Sequence, residues 1–194
     1  MWVGGGITGM GEIPVLGVKE KGIAKVIRDI FRNGEQGFFY DPTNLSTLYQ
    51  DAAGTVPVTA VGQPTAKMQD LSGQGIHALQ PDANLRPITL RGGFQYPDNS
   101  PGFIVDVPVE LTDCTIIVSS QTKVLGITTG QAVSAGSIYI TPDGFCMVIN
   151  RMLTEFEIVA LKAATRSTST QLPYWQLNSQ SLMWNPEDIT LMWS

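Results

Sequence analysis

The apolar positions change period along the chain. Between residues 18 and 33, Ile23, Val26, Ile27, Ile30 and Phe31 recur at spacings of three and four, with Lys19, Lys21, Lys25, Arg28, Asp29 and Arg32 on the other side. That spacing predicts an amphipathic helix over 18–33, weakened at Gly22 and stopped by Gly34. From Ile88 onward the period falls to two. Phe103, Val105, Val107, Val109 and Leu111 alternate with Ile104, Asp106, Pro108 and Glu110, which predicts a half-buried strand with Pro108 at an edge or a bulge. Residues 114–119 continue it after a turn at Thr112-Asp113, and residues 123–128 are expected to pair next. Residues 137–141 and 145–150 flank Pro142-Asp143-Gly144, the pattern of a hairpin. Thr154-Glu155-Phe156-Glu157 has the spacing of a capping box. The helix it opens runs to about Ala164 and places Phe156, Val159, Ala160 and Ala163 on one face.

The stretch from 34 to 91 is punctuated by glycine and proline, with short apolar pieces such as Phe38-Phe39-Tyr40 and residues 56–61 between them. Apolar pieces need burial, so this is an ordered, repeatedly turning segment and not a linker. Thr43-Asn44 is expected to cap a short helix over 45–50. Pro57 and Pro64 restrict their pieces to edge strands or extended loops, and 69–75 reads as a turn. The fold class that follows is mainly β. A small antiparallel sheet or partial jelly-roll sandwich would carry two short helices and extended N- and C-terminal arms. The predicted organisation is an arm and helix over 1–34, a β-rich domain over 35–166 and an aromatic assembly tail over 167–194.

The two ends are apolar without any means of forming a core alone. Residues 1–17 combine glycines with Trp2, Val3, Ile7, Ile13, Val15 and Leu16; they are either disordered or laid on a neighbouring subunit. The last stretch carries Trp175 and two echoing triads, Leu182-Met183-Trp184 and Leu191-Met192-Trp193. Large aromatics and methionine are enriched at protein interfaces. Trp2, Trp175, Leu182, Met183, Trp184, Leu191, Met192 and Trp193 are therefore the candidate interface residues. Packing of the tail on its own domain is the alternative.

Composition sharpens this picture. Hydrophobic residues make up 43% and charged residues 15% of the 194, against about a quarter charged in ordinary globular chains. Part of the surface is thus expected to meet protein instead of water. The net charge of −5 lies entirely in the second half, where residues 92–194 hold four basic and nine acidic side chains. An acidic chain offers no electrostatic footprint for nucleic acid. No run of 18 apolar residues is present for membrane insertion, and the first residues lack the pattern of a signal peptide. Cys114 and Cys146 each sit in apolar, strand-like surroundings, which predicts buried free thiols; a disulfide between them is the alternative.

No pattern predicts catalysis, a cofactor or a metal. Glu155 and Glu157 neighbour each other in a capping context, not as a glycosidase pair. Residues 98–100 and 41–44 could give oxygens to calcium, yet neither completes a coordinating loop. Residues 72–75 do not form a nucleophile elbow, and His77 is the only histidine, expected to be structural.

Three segments carry resemblances. GEQGFFYDPTNLSTLYQDAAGTVPVTAVGQP, from Gly34, resembles a segment that recurs in structural and tail-associated proteins of tailed bacteriophages. DLSGQGIHALQPDANLRP, from Asp70, is similar to the opening segment of concanavalin-like (laminin-G-type) lectin sandwiches. VINRMLTEFEIVALKAATR, from Val148, resembles the closing strand and helix of those phage domains. The resemblance implies a virion structural protein of the tail, fibre or neck. It would be assembled in the host cytoplasm and form a homo-oligomer that contacts other virion proteins. The lectin-like piece implies a jelly-roll-like fold, with a host-surface glycan as an alternative partner and head decoration as an alternative role. Only about half of such a sandwich fits between Leu71 and Arg151, so no glycan-binding residues carry over.

Overall fold

In the computed structural model, residues 22–119, 124–165 and 168–169 are described. The first helix, α1, spans Ile23–Ile30, and its apolar stripe buries Val26, Ile27 and Ile30. Gly22 precedes it with extended backbone, so the helix begins later than the spacing suggested. It also ends earlier than Asn33: Phe31 is the C-cap, a turn follows, and Gly34, at φ 81°, donates its N–H to the Phe31 carbonyl to close that turn.

Two five-stranded sheets and one small hairpin make up the rest. The first sheet runs in the order β1 (Gly37–Tyr40), β11 (Cys146–Ile149), β8 (Leu111–Ser119), β9 (Val124–Val133) and β12 (Thr168–Ser169). The second runs β10 (Gly136–Ile140), β7 (Phe103–Val107), β4 (Ala78–Leu79), β3 (Lys67–Met68) and β2 (Leu48–Tyr49). β5 (Ile88–Leu90) and β6 (Gly93–Gln95) form the hairpin. All pairings are antiparallel except that of β12 with β9. The fold is mainly β, as expected, with two helices among the described residues.

The layers follow from strand alternation. On one face of the first sheet, Phe38, Tyr40, Ile116 and Val148 pack against Leu48, Met68, Phe103 and Val105 of the second sheet. On the other face, Phe39, Ile117, Met147 and Ile149 pack against α1 and the second helix, α2 (Glu155–Thr165), through Ile27, Ile30 and Leu161. The first sheet is therefore the middle layer, between a sheet and a pair of helices. Covered on both faces, β1 and β11 are buried at every position and read as unbroken apolar runs. Each large side chain so buried contributes about 1.5–3 kcal/mol.

Gly37 shows how closely β1 lies on β11. Its φ is 144°, and a Cβ there would overlap the carbonyl oxygen of Val148. The outer edge of β1 is not left open. Phe39 donates its N–H to Asp70 Oδ1 at 2.9 Å, Leu71 donates its N–H to the Phe39 carbonyl at 2.9 Å, and Ser72 Oγ, whose proton goes to Asp70, lies 3.3 Å from the Gly37 carbonyl. A loop thus takes the place of a further strand.

Several local expectations are corrected. The segment 45–50 is not a helix: Asn44 caps a single 3-10 turn, Leu45–Thr47, and the chain then enters β2. The strand expected through Leu111 breaks at Pro108, leaving Val109 exposed. Thr112-Asp113 is not a turn but lies within β8, where Asp113 adopts φ 54° at a shift of register against β9. Residues around Pro142-Asp143-Gly144 do not close a hairpin. Ile138 pairs with Val105 in the second sheet and Met147 with Ile117 in the first, so this turn carries the chain from one sheet to the other.

Candidate interaction surface

The capping box forms as its spacing predicts. Glu157 donates its N–H to Thr154 Oγ1 at 3.3 Å, and Thr154 donates its N–H to Glu157 Oε2 at 2.9 Å. Glu157 has a second role. Arg151 Nη2 donates to its Oε1 at 2.6 Å and Nη1 to its Oε2 at 2.9 Å, a bidentate pair. The same guanidinium reaches Glu35 Oε1 at 3.3 Å and the Ile30 carbonyl, at the end of α1, at 3.0 Å. Arg151 therefore ties the C-terminus of α1 to the N-terminus of α2, where a cation and an anion respectively complement the helix dipoles. Its hydrogen bonds hold the Glu157 carboxyl down at about 2. The Glu157 carboxylate in turn raises the pKa of Arg151.

Beside this clamp, α1 and α2 enclose a groove of about 550 Å³ lined by Val26, Asp29, Arg32, Arg151, Phe156 and Ala160, among others. The outer face of α2 beside it is apolar. Phe156 is 82% exposed, Met152 63% and Val159 60%. Of the stripe read from the sequence, Phe156, Val159 and Ala163 face outward, whereas Ala160 packs toward the sheet with Ile158, Leu161 and Ala164. A helix with apolar residues nearly all round belongs in an interior, and the described residues cover one side of it. Opposite it, the exposed side of α1 presents Lys25, Arg28 and Arg32, with Lys25 paired to Asp29 at 2.7 Å.

The elements that could suggest chemistry are used structurally. Asp70, Ser72 and His77 lie together, but Ser72 Oγ donates directly to Asp70 Oδ2 at 2.7 Å. His77 Nδ1 accepts the Asp70 N–H at 3.1 Å. The imidazole is thus turned to the backbone, and Ser72 is bonded to Asp70, not placed as a serine–histidine pair. Burial, reinforced by nearby Lys67, lowers the pKa of His77. Asp41, a calcium option from sequence, accepts from the N–H and Oγ1 of Thr43 in its own turn. Among the described residues, no three His, Cys, Asp or Glu side chains gather as a metal site, and no helix is long and apolar enough to cross a membrane. Cys114 and Cys146 are free and buried in the core between the sheets, and burial pushes their thiols up to about 11 and about 12.

The residues predicted as interface, Trp2, Trp175, Leu182, Met183, Trp184, Leu191, Met192 and Trp193, lie outside the described residues, as do both predicted arms. Sequence reasoning placed Phe156 and Val159 on one helix face but did not single out the exposed apolar surface that they form with Met152. Comparison with family models, with curated proteins and with solved structures finds no match.

Proposed function

We propose that this chain is a non-enzymatic structural protein of a tailed-phage virion. It oligomerises and links parts of the tail, fibre or neck region, or anchors fibres there. The observation that carries the assembly reading is the uncovered apolar face of α2, with Phe156 82% exposed, in a chain whose remaining segments hold all four tryptophans. Covering that face with protein gains about 25 cal/mol for each Å² of apolar surface removed from water. The virion setting rests on the resemblance of the segments beginning at Gly34 and Val148 to phage structural proteins. A chain with few charges, built on a two-sheet sandwich, suits a part that meets other proteins of the particle.

Size-exclusion chromatography with light scattering tests the assembly reading. The full chain is expected to elute as a multiple of 21.0 kDa. Removal of residues 172–194 is expected to give a monomer whose circular dichroism remains β-rich. A full-length chain that stays a lone monomer at micromolar concentration overturns the reading. Labelling the chain in a map of the intact particle tests the virion setting.

A further inference from the structure

We infer that the groove between α1 and α2 is the receptor for this chain's own C-terminal segment, residues 182–193. This deepens the assembly reading and rests on it for the claim that a neighbouring copy supplies the segment.

Three observations converge on this occupant. First, the groove is two-sided in chemistry. Phe156 and Ala160 give it an apolar wall, and the α1 side carries Arg32 beside the Lys25–Asp29 pair, so that basic groups outnumber acidic ones there by one. Second, the segment has the complementary pattern. Leu182-Met183-Trp184 and Leu191-Met192-Trp193 flank Glu187-Asp188, and residues 170–194 contain no lysine or arginine. An acidic pair between two apolar triads can meet the Arg32 guanidinium while the apolar triads cover the exposed side of α2. Third, the segment starts from the right place. β12 ends at Ser169 on the edge of the sheet whose outer face carries both helices. The residues between Ser169 and Leu182 span up to roughly 45 Å when extended, whereas α2, at 11 residues, is only about 16 Å long. The triads can therefore reach the groove of a neighbour or of their own copy.

Cysteine cross-linking in the full chain separates these cases. The pair Ala160→Cys and Ser181→Cys places one thiol in the groove and one beside the first triad. The pair Val56→Cys and Ser181→Cys serves as control, because Val56 is an exposed apolar residue away from both helices. The native thiols are buried and stay out of the reaction. Under mild oxidation the groove pair is expected to cross-link about a hundredfold faster than the control, as a docked segment has a high effective concentration. Adding Phe156→Asp is expected to slow it about tenfold or more, the equivalent of one lost phenyl contact. Phe156 is exposed, so this variant should keep its melting behaviour, which is measured alongside.

Cross-linked dimers and higher ladders support both the docking and the assembly reading. A cross-link within single chains supports the docking and counts against assembly through the tail. Cross-linking no faster than the control, in a chain that still assembles by light scattering, overturns the docking and leaves the assembly reading standing.

Discussion

Arg151 grips Glu157 through two parallel hydrogen bonds, at 2.6 and 2.9 Å, while one of the same nitrogens caps the Ile30 carbonyl at 3.0 Å. One side chain thus fixes the relation of the two helices that bound the groove. Arg151→Ala removes the donor from two carboxylates and a helix end at once. The pair is partly solvated, so the expected loss is about 1–3 kcal/mol, below that for a fully buried pair. Urea denaturation measures it, and hydrogen exchange should quicken in α1 and α2 before the sheets. An unchanged midpoint would mean that packing alone aligns the helices.

The same contact sets a dependence on acid. The Glu157 carboxyl titrates near 2 in the fold against an ordinary value of 4.5. The unfolded chain therefore binds the proton more readily. The stabilisation is complete above about 4.5 and is lost as pH falls from there toward about 2. With partial solvent screening, the wild-type chain should lose about 1–2 kcal/mol from this group across that window. Glu157→Gln should be less stable at neutral pH, and its stability should fall less steeply in acid. Denaturation midpoints at a series of pH values check both the sign and the window.

Asp70 is buried and accepts four hydrogen bonds, from the N–H groups of Phe39, Ser72 and Ile76 and from Ser72 Oγ. Asp70→Asn keeps the shape but turns an amide donor against the Ser72 hydroxyl or the Ile76 N–H. A loss of about 2–4 kcal/mol is expected for Asn and Ala alike. Amide exchange at Phe39 and Ile76 is the specific readout, because a defect confined to the turn would leave Phe39 protected.

Gly37→Ala should cost about 3 kcal/mol or more, since the new Cβ meets both an unfavourable φ and the Val148 carbonyl. Gly73→Ala, with φ 91° but open space around it, isolates the conformational part and should cost less. Thermal melts of the two variants compare them directly.

The features legible in the sequence were those set by neighbours along the chain. The stripe of α1 and the Thr154–Glu157 capping box depend on residues within a few positions of one another. The Pro142-Asp143-Gly144 turn was visible as a reversal, but nothing local says that Ile138 joins Val105 and Met147 joins Ile117. The hairpin of Ile88–Leu90 and Gly93–Gln95 escaped notice because its strands are three residues each, too short for alternation to show. For α2 the apolar stripe was found and its side was not. Apolar residues surround the helix almost completely, so periodicity could not choose between Phe156 and Leu161. Asp70 read only as part of a turn, because its work on β1 depends on where β1 lies.

The pairing of β1 with β11 also governs when the molecule can mature. Gln36, at the start of that junction, donates its N–H to Asn150 Oδ1 across 114 residues of sequence. While the ribosome is still making the intervening segments, Phe38 to Tyr40 have no neighbouring strand to join, and the middle layer lacks its inner member. Newly made chains must therefore keep three consecutive aromatic side chains waiting until β11 has been made. The second sheet, whose strands all lie between Leu48 and Ile140, has its full set of residues before the middle layer does, so the two layers of the sandwich become available in sequence and the middle layer comes last.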